Sequence, residues 1–463
     1  MDIFRKKSIA EYQNDAANSH LNRTLSAVDV VMLGVGVIVG TGIFVLTGVA
    51  AAKYAGPALM LSFVMASITC GFVSMAYSEL AAMVPVAGSS YAYAYTSVGE
   101  FFAWLVGWNI ILEYTVGASA VAGGWSAYVM GILKSAGIEI SKTWTAVPAD
   151  GGLVNLPAVL ITLFLTYLLI MGVHTSATVN KILVFVKLIA IFIFLFLAGP
   201  SVDTTNWEPF MPFGFAGVSA GAAFIFFAYL GFDAISTAAE ETKNPARDMP
   251  IGIIGSLVIC TLLYVSVTAV MTGNVPYSDL DNAEPVAYVL RALGYRFGSA
   301  LVGTGAIAGL TTVLLVMMYA QTRAFFSMSR DGLIPASICR IHPRHASPYR
   351  ITMIVGCTVA LISGFTPIHI VAEMCSIGTL FAFIVSSVGV MVMRRTVPDA
   401  KRPFRCPAIY LIGTLAVVSC AYIMYNLSGM TWERFFVWSI LGIIVYFAYG
   451  YKHSRENKMN QSE

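Results

Sequence analysis

The stretch "GVGVIVGTGIF", Gly34 to Phe44, carries four glycines in eleven residues of an otherwise apolar segment. Glycine is a poor helix former. The spacing here, G-x-G-x-x-x-G-x-G, is not that of a dinucleotide fingerprint, and no strand-forming run or downstream acidic ribose ligand accompanies it. Two readings compete. Small residues four apart, such as Gly36 and Gly40, let neighbouring membrane helices touch. Alternatively the run is an unwound hinge whose freed amides and carbonyls hold a ligand. The choice depends on the solvent around the segment, which composition identifies.

Of 463 residues, 58% are hydrophobic and 11% charged, and the mean hydropathy is +0.78. A soluble chain carries about 25% charged residues, so the composition fits a bilayer. Apolar runs of membrane-spanning length recur from Ala27 to Tyr449. The first ends too late, and lacks the small-residue cleavage site, for a removable signal peptide. The expected fold class is an all-α integral membrane protein with 12 transmembrane helices. The predicted spans are roughly 26–52, 57–83, 99–132, 155–173, 177–198, 216–240, 250–272, 297–327, 350–364, 369–393, 408–427 and 433–450. "YSDLDNAEPVAYVLRALGYRFG", between the seventh and eighth, reads as an external loop with a short surface helix.

An even number of spans puts both termini on one side. That side holds nineteen Lys and Arg; the other holds six, Lys53, Lys134, Lys142, Arg291, Arg296 and Arg434. The bias places both termini in the cytoplasm of a cell-membrane protein. The net charge of +3 then reflects topology and calls for no nucleic-acid partner. Seven scattered cysteines without a C-x-x-C pair argue for packing rather than disulfides or a metal cluster.

A helix broken in lipid must face protein or a cavity, because its backbone groups find no water. The sixth span, "GVSAGAAFIFFAYLGFDAISTAAEETKNPARDMP", holds a second break candidate at Phe226–Gly231. It comes five spans after the first and so enters from the opposite side. Interrupted helices at matching positions in two halves mark an inverted-repeat transporter and its site. Half-helix amino ends offer amides to a carboxylate, and carboxyl ends offer carbonyls to an ammonium. A free amino acid carries both charges, so the hinge reading is preferred.

"GTGIF" at 40–44, "PVAGSSYAYAYTSVGE" at 85–100, "FFAYLGFDAISTAAEETKNPARDMP" at 226–250 and "MSRDGLIP" at 328–335 resemble the amino acid–polyamine–organocation superfamily. The match is closest to its bacterial cationic-amino-acid-transporter-like branch, whose bacterial members also carry neutral amino acids. The resemblance implies a 5+5 inverted-repeat core of the leucine-transporter type, with discontinuous helices 1 and 6 plus two C-terminal helices. The repeats would be residues 26–198 and 216–393, followed by spans at 408–450, with tails at 1–25 and 451–463. It implies a substrate carboxylate at Thr41, Gly42 and Ile43, beside Gly40, and an ammonium near carbonyls of Ile38, Phe226 and Tyr229, around Ala228.

Lys187 lies about eleven residues from either end of its span, roughly 15 Å from each interface, too deep to snorkel. A buried ammonium is costly to keep charged, which makes Lys187 a candidate proton carrier; the bland alternative is a structural lysine on a carbonyl. By the resemblance it occupies the region where sodium-coupled relatives bind a cation between spans 1 and 8. Glu113 and Asp233 are further coupling candidates, able to pair with Lys187 or with backbone amides. Glu240 and Glu241 read as gate or loop contacts, and Glu373 as solvated at the external mouth. Phe227 sits in the break as a gate candidate, and Met317 or Met318 could narrow the pocket.

The resulting expectation is a secondary active permease for small or medium neutral L-amino acids, coupled to protons, with no cofactor, sodium or metal. The alternatives are a cationic amino-acid transporter or an exchanger. A sensor would need more than the short tails. "GVSAG", Gly217 to Gly221, matches a serine-hydrolase pattern, but the six histidines fall in tails, loops or span ends, far from acting as its base. A channel would call for a filter-like repeat, which the sequence lacks.

Overall fold

The computed structural model describes residues 3–8, 25–84, 89–172, 177–233, 235, 242–282, 284–342, 347–455 and 457. Among the described residues, apart from one isolated bridge between Leu25 and Thr242, the regular structure is helical. Seven helical stretches among the described residues are long and apolar enough to cross a membrane: Gly42–Met83, Glu100–Ser135, Lys181–Ser201, Pro245–Asn274, Arg296–Arg330, Ile368–Thr396 and Gly429–His453. Shorter apolar helices accompany them at Ala27–Ile38, Leu156–Ile170, Gly214–Tyr229, Tyr349–Phe365 and Ile409–Tyr425.

The principal helices are α1 (Ala27–Ile38), α2 (Leu59–Met83), α3 (Glu100–Ser135), α4 (Leu156–Ile170), α5 (Ala177–Ala198), α6 (Gly214–Ile225), α7 (Pro245–Asn274), α8 (Arg296–Arg330), α9 (Tyr349–Phe365), α10 (Ile368–Thr396), α11 (Ile409–Tyr425) and α12 (Gly429–Val445). Local chemistry sets their ends. Ser26 and Asp29 form a reciprocal capping box that opens α1. Pro245 opens α7, where its missing N–H has no role.

Among the described spans, α10, α3 and α8 are the most buried. Packing is most extensive between α3 and α8, α3 and α10, α2 and α7, and α1 and α7. Outward faces of α5, α9, α11 and α12 expose Phe192, Leu361, Leu411, Ile440 and similar side chains, as surfaces in contact with lipid do.

One end of the molecule is tied by buried ion pairs. Arg394 holds the Glu79 carboxylate with two bonds of 2.7 Å, and Arg402 and the Cys406 amide complete its shell. Arg5 pairs with Glu100, which also accepts from Tyr95, Tyr446 and Ser454. Lys7 pairs with Asp331, which Tyr91 also meets. Buried charges persist only when satisfied in this way.

Two expectations are refined. The segment after α7 carries the expected short helix, Pro285–Ala292, whose apolar face is packed inward: Val286, Val289 and Leu290 are buried, and Pro285 lies against Gly48. Its Glu284–Arg291 pair closes over Gly131 of α3. Among the cysteines, six are buried as packing residues, but Cys357 is exposed.

Both breaks are present. α1 stops at Ile38 and the helix resumes at Thr41–Gly42, with two widened turns, Gly42–Leu46 and Ala51–Ala55, before Gly56. α6 tightens into the turn Phe226–Tyr229 and ends as Gly231 takes φ +102°, a conformation that an L side chain rarely adopts. A Cβ there would also overlap Val37 of α1. Gly231→Ala is therefore expected to lower stability by about 1–3 kcal/mol or prevent folding. Gly71→Ala, with nothing within 4 Å of the added carbon, should be neutral or slightly stabilising. Thermal melting of both variants in detergent checks this; equal midpoints would contradict it.

Candidate functional site

The two breaks meet. A Cβ added at Gly42 would overlap Ala228 of the α6 break, so only glycine allows this approach. Gly34 packs on Ser256 of α7 and Gly40 on Val313 of α8. The glycine run therefore serves close packing and the helix break together, and the two readings of the sequence are not exclusive.

The backbone groups at the breaks have identifiable partners. Gly40 O accepts from the amides of Ile43 and Phe44, both at 3.2 Å. The Ile43 amide, expected to face a carboxylate, is thus engaged in its own turn. The amides of Thr41 and Gly42 lie in the first turn of the resumed helix and have no intrahelical acceptor. Beside them the Thr41 hydroxyl is buried with no hydrogen-bond partner. These three donors point to an acceptor supplied by a ligand.

On the carbonyl side, the Tyr264 hydroxyl of α7 lies 2.8 Å from Ile38 O and 2.7 Å from Ala228 O. One phenolic proton faces two carbonyls, one from each break. Tyr229 turns its hydroxyl to Phe63 O, and Tyr128 donates to Phe44 O within the widened turn.

Lys187 is fully buried, and its ammonium meets the carbonyls of Gly36 and, at 2.9 Å, Val39, at the end of α1. Its stem packs on Gly309 of α8, where a Cβ would come within 3.1 Å. Lys187 thereby joins α5, α1 and α8. Of the two pairings open to Glu113 and Asp233, with Lys187 or with backbone amides, the first is not seen: among the described residues Lys187 meets carbonyls and no carboxylate. Glu113 of α3 and Asp233, just past the α6 break, lie within electrostatic reach of each other, near Tyr114 and Cys375. Glu113 also meets Thr379. The carboxylates sit across the site because α3 and α10 present that flank, while α5 presents the lysine to α1.

Ile38, Gly40, Thr41, Gly42, Ile43, Phe226, Phe227, Ala228 and Tyr229 are buried together at the breaks. Met317 is buried against Gly117, one turn along α3 from Glu113. Glu373 is not solvated: Ser428 and Thr431 donate to its carboxylate at 2.5 Å and Tyr54 at 3.3 Å. Glu240 and Glu241 lie outside the described residues. Ser219 of the hydrolase-like pattern shares its hydroxyl contact with Tyr422, not with a base. Sequence reasoning missed Tyr264, whose only signal is a lone phenol in an apolar run.

The amino acid permease family model matches residues 25–447. The branched-chain amino acid permease BcaP of Bacillus subtilis (strain 168) is 46% identical over 98% of this chain and 99% of its own. The methylthioribose transporter of the same organism is 42% identical over 98% and 99%. The vacuolar cationic amino acid transporter 4 of Arabidopsis thaliana is 37% identical over 85% of this chain and 66% of its own. With its broken helices meeting at a buried backbone site, and with this match over nearly its whole length, the chain belongs to the amino acid permease family.

Proposed function

We propose that this multi-pass membrane permease is a secondary transporter of neutral L-amino acids, working by alternating access in the cell membrane. Its relatives are named as permeases and transporters, and it is not an enzyme. One observation carries the site: the unpaired Thr41 hydroxyl and the first-turn amides of Thr41 and Gly42 lie at the contact of Gly42 with Ala228, where the carbonyls of Ile38 and Ala228 meet Tyr264. Donors and acceptors gathered at one contact suit a carboxylate and an ammonium on one carbon. Gly40, Ile43, Phe226, Phe227, Tyr229 and Met317 form the remaining wall. The relative named for branched-chain substrates supports a neutral side chain.

In this reading the chain makes twelve spans, α1 counted with its continuation past the break and the sixth span taken over the predicted stretch 216–240. Spans 1–5 (26–198) and 6–10 (216–393) form inverted repeats, followed by two helices at 408–450, and residues 1–25 and 451–463 are cytoplasmic tails. The packing of α2 on α7, α3 on α8 and α4 on α9, each helix on the one five later, supports this pairing. A cationic substrate is the second reading: Glu113 and Asp233, gathered beside the α6 break, would meet a distal positive charge.

Coupling is assigned to a proton on Lys187, with no sodium, metal or cofactor. Its protonated amine makes charge-assisted bonds to Gly36 O and Val39 O, stronger than a neutral amine would make. Losing the proton loosens the tie of α5 to the end of α1 and favours the state that releases substrate.

Uptake into proteoliposomes tests the substrate. Leucine, valine and alanine should compete strongly, arginine and lysine weakly, and methylthioribose not at all. Arginine far ahead of leucine would select the cationic reading, and methylthioribose as sole competitor would overturn the amino-acid one. Lys187→Ala tests the coupling. Wild-type uptake should rise with an inward pH gradient and ignore sodium, and the variant should exchange substrate without concentrating it. Proton-driven accumulation by the variant would make Lys187 structural and move the search to Glu113 and Asp233.

A further inference from the structure

Outside the permeation site, a groove of about 790 Å³ opens between the outward faces of α5 and α8. Its walls are Ile189, Phe192 and Phe196 on one side and Arg296, Phe297 and Leu301 on the other. Phe196 and Phe297 are 80% and 78% exposed. Ile193, Leu197 and Gly298 also line it, and from Gly298 a seam of small residues continues along the α5–α8 contact beyond the groove. A Cβ at Gly298 would come within 2.6 Å of Leu197, at Gly305 within 2.5 Å of Ala190, and at Gly309 within 3.1 Å of Lys187. The backbones approach there while the large side chains splay outward, which leaves a trough instead of a flat helix pair. From Ile189 to Leu197 the trough runs about 12 Å along α5, the length of a section of acyl chain.

Its polar end is defined by one cation. Arg296 is exposed and, among the described residues, its guanidinium makes no hydrogen bond and no ion pair. It stands at the first residue of the 35-residue helix α8, whose dipole adds positive potential at that end. Tyr295, beside it, is an interfacial aromatic of the kind that sits at headgroup level. In a bilayer, therefore, a cation at the level of the headgroups opens onto an apolar trough reaching into the hydrocarbon.

We propose that this groove is a binding site for one anionic glycerophospholipid. Its phosphate sits on Arg296, and an acyl chain lies along Phe192, Phe196 and Leu301. The charge at the rim selects an anionic headgroup over a zwitterionic one, and the trough requires the chain, so inorganic phosphate alone does not substitute. The bound lipid clamps α5 onto α8 from outside, along the seam that holds Lys187 on Gly309. The binding is independent of the transport reading; an effect on transport rests on it.

The test uses the full-length protein in detergent, titrated with phosphatidylglycerol or phosphatidylcholine, bound lipid being counted by native mass spectrometry. Wild-type protein should retain one phosphatidylglycerol with higher affinity than phosphatidylcholine, undisplaced by millimolar inorganic phosphate. Arg296→Gln should weaken phosphatidylglycerol about fivefold and phosphatidylcholine, whose choline offsets its phosphate, by less, so that the preference between them shrinks. Leu301→Trp, which fills the trough from a lipid-facing position, should weaken both lipids. Equal affinity for the two lipids in wild-type protein, unchanged phosphatidylglycerol binding in Arg296→Gln, or displacement by phosphate alone would each overturn the proposal.

Discussion

One hydroxyl with a single proton stands between two helix breaks. Tyr264 approaches Ile38 O and Ala228 O at 2.8 and 2.7 Å, and it donates to only one of them at a time. The other carbonyl is left without that donor in a dry interior, where an unmet acceptor costs about 1–3 kcal/mol. At the same contact, Thr41 and Gly42 lie in the first turn of the resumed helix, whose amides find no intrahelical acceptor, and the Thr41 hydroxyl is unpaired. The breaks are tolerable because they are sealed inside protein, and they remain incompletely satisfied where a zwitterion would complete them. The rest of the structure maintains this contact: Gly42 admits Ala228, Gly231 turns past Val37, and α7 brings Tyr264 between them.

Lys187 answers a related demand. Breaking α1 frees carbonyls at its end, and those of Gly36 and Val39 are taken by the buried ammonium. Among the described residues it has no carboxylate ion pair, so its charge is balanced by dipoles alone. The strength of its hold on α1 then depends directly on its proton. The site thus has two flanks of different chemistry, a lysine with carbonyls between α1, α5 and α8, and two carboxylates between α3, α6 and α10. Neither flank neutralises the other.

The membrane class, the positions of the helices and both breaks were legible in the sequence, because hydropathy and glycine spacing act locally. The candidate site follows at the backbone level for the same reason: Thr41, Gly42 and the Phe226–Tyr229 turn lie where the helical pattern fails. What could not be read was partnership across the fold. Nothing local in Tyr264 says that its hydroxyl reaches two carbonyls 226 and 36 residues away. Glu113 reads as able to pair with Lys187 or with backbone amides, and only the fold shows that the helices carrying the two charges face different flanks. Glu373 reads as solvated near a span end, and only the approach of Ser428 and Thr431 after α11 shows it to be enclosed. Side chains that meet across the bundle leave no periodic trace.

The central claim is that backbone at the two breaks recognises the α-carboxylate and α-ammonium of the substrate. Competition for leucine uptake by leucine analogues tests it directly. Leucinol, which lacks the carboxylate, and 4-methylpentanoate, which lacks the ammonium, should each fail to compete at concentrations where isoleucine, altered only in its side chain, competes fully. If leucinol or 4-methylpentanoate competes as well as leucine, recognition lies in the side-chain pocket and the breaks are structural.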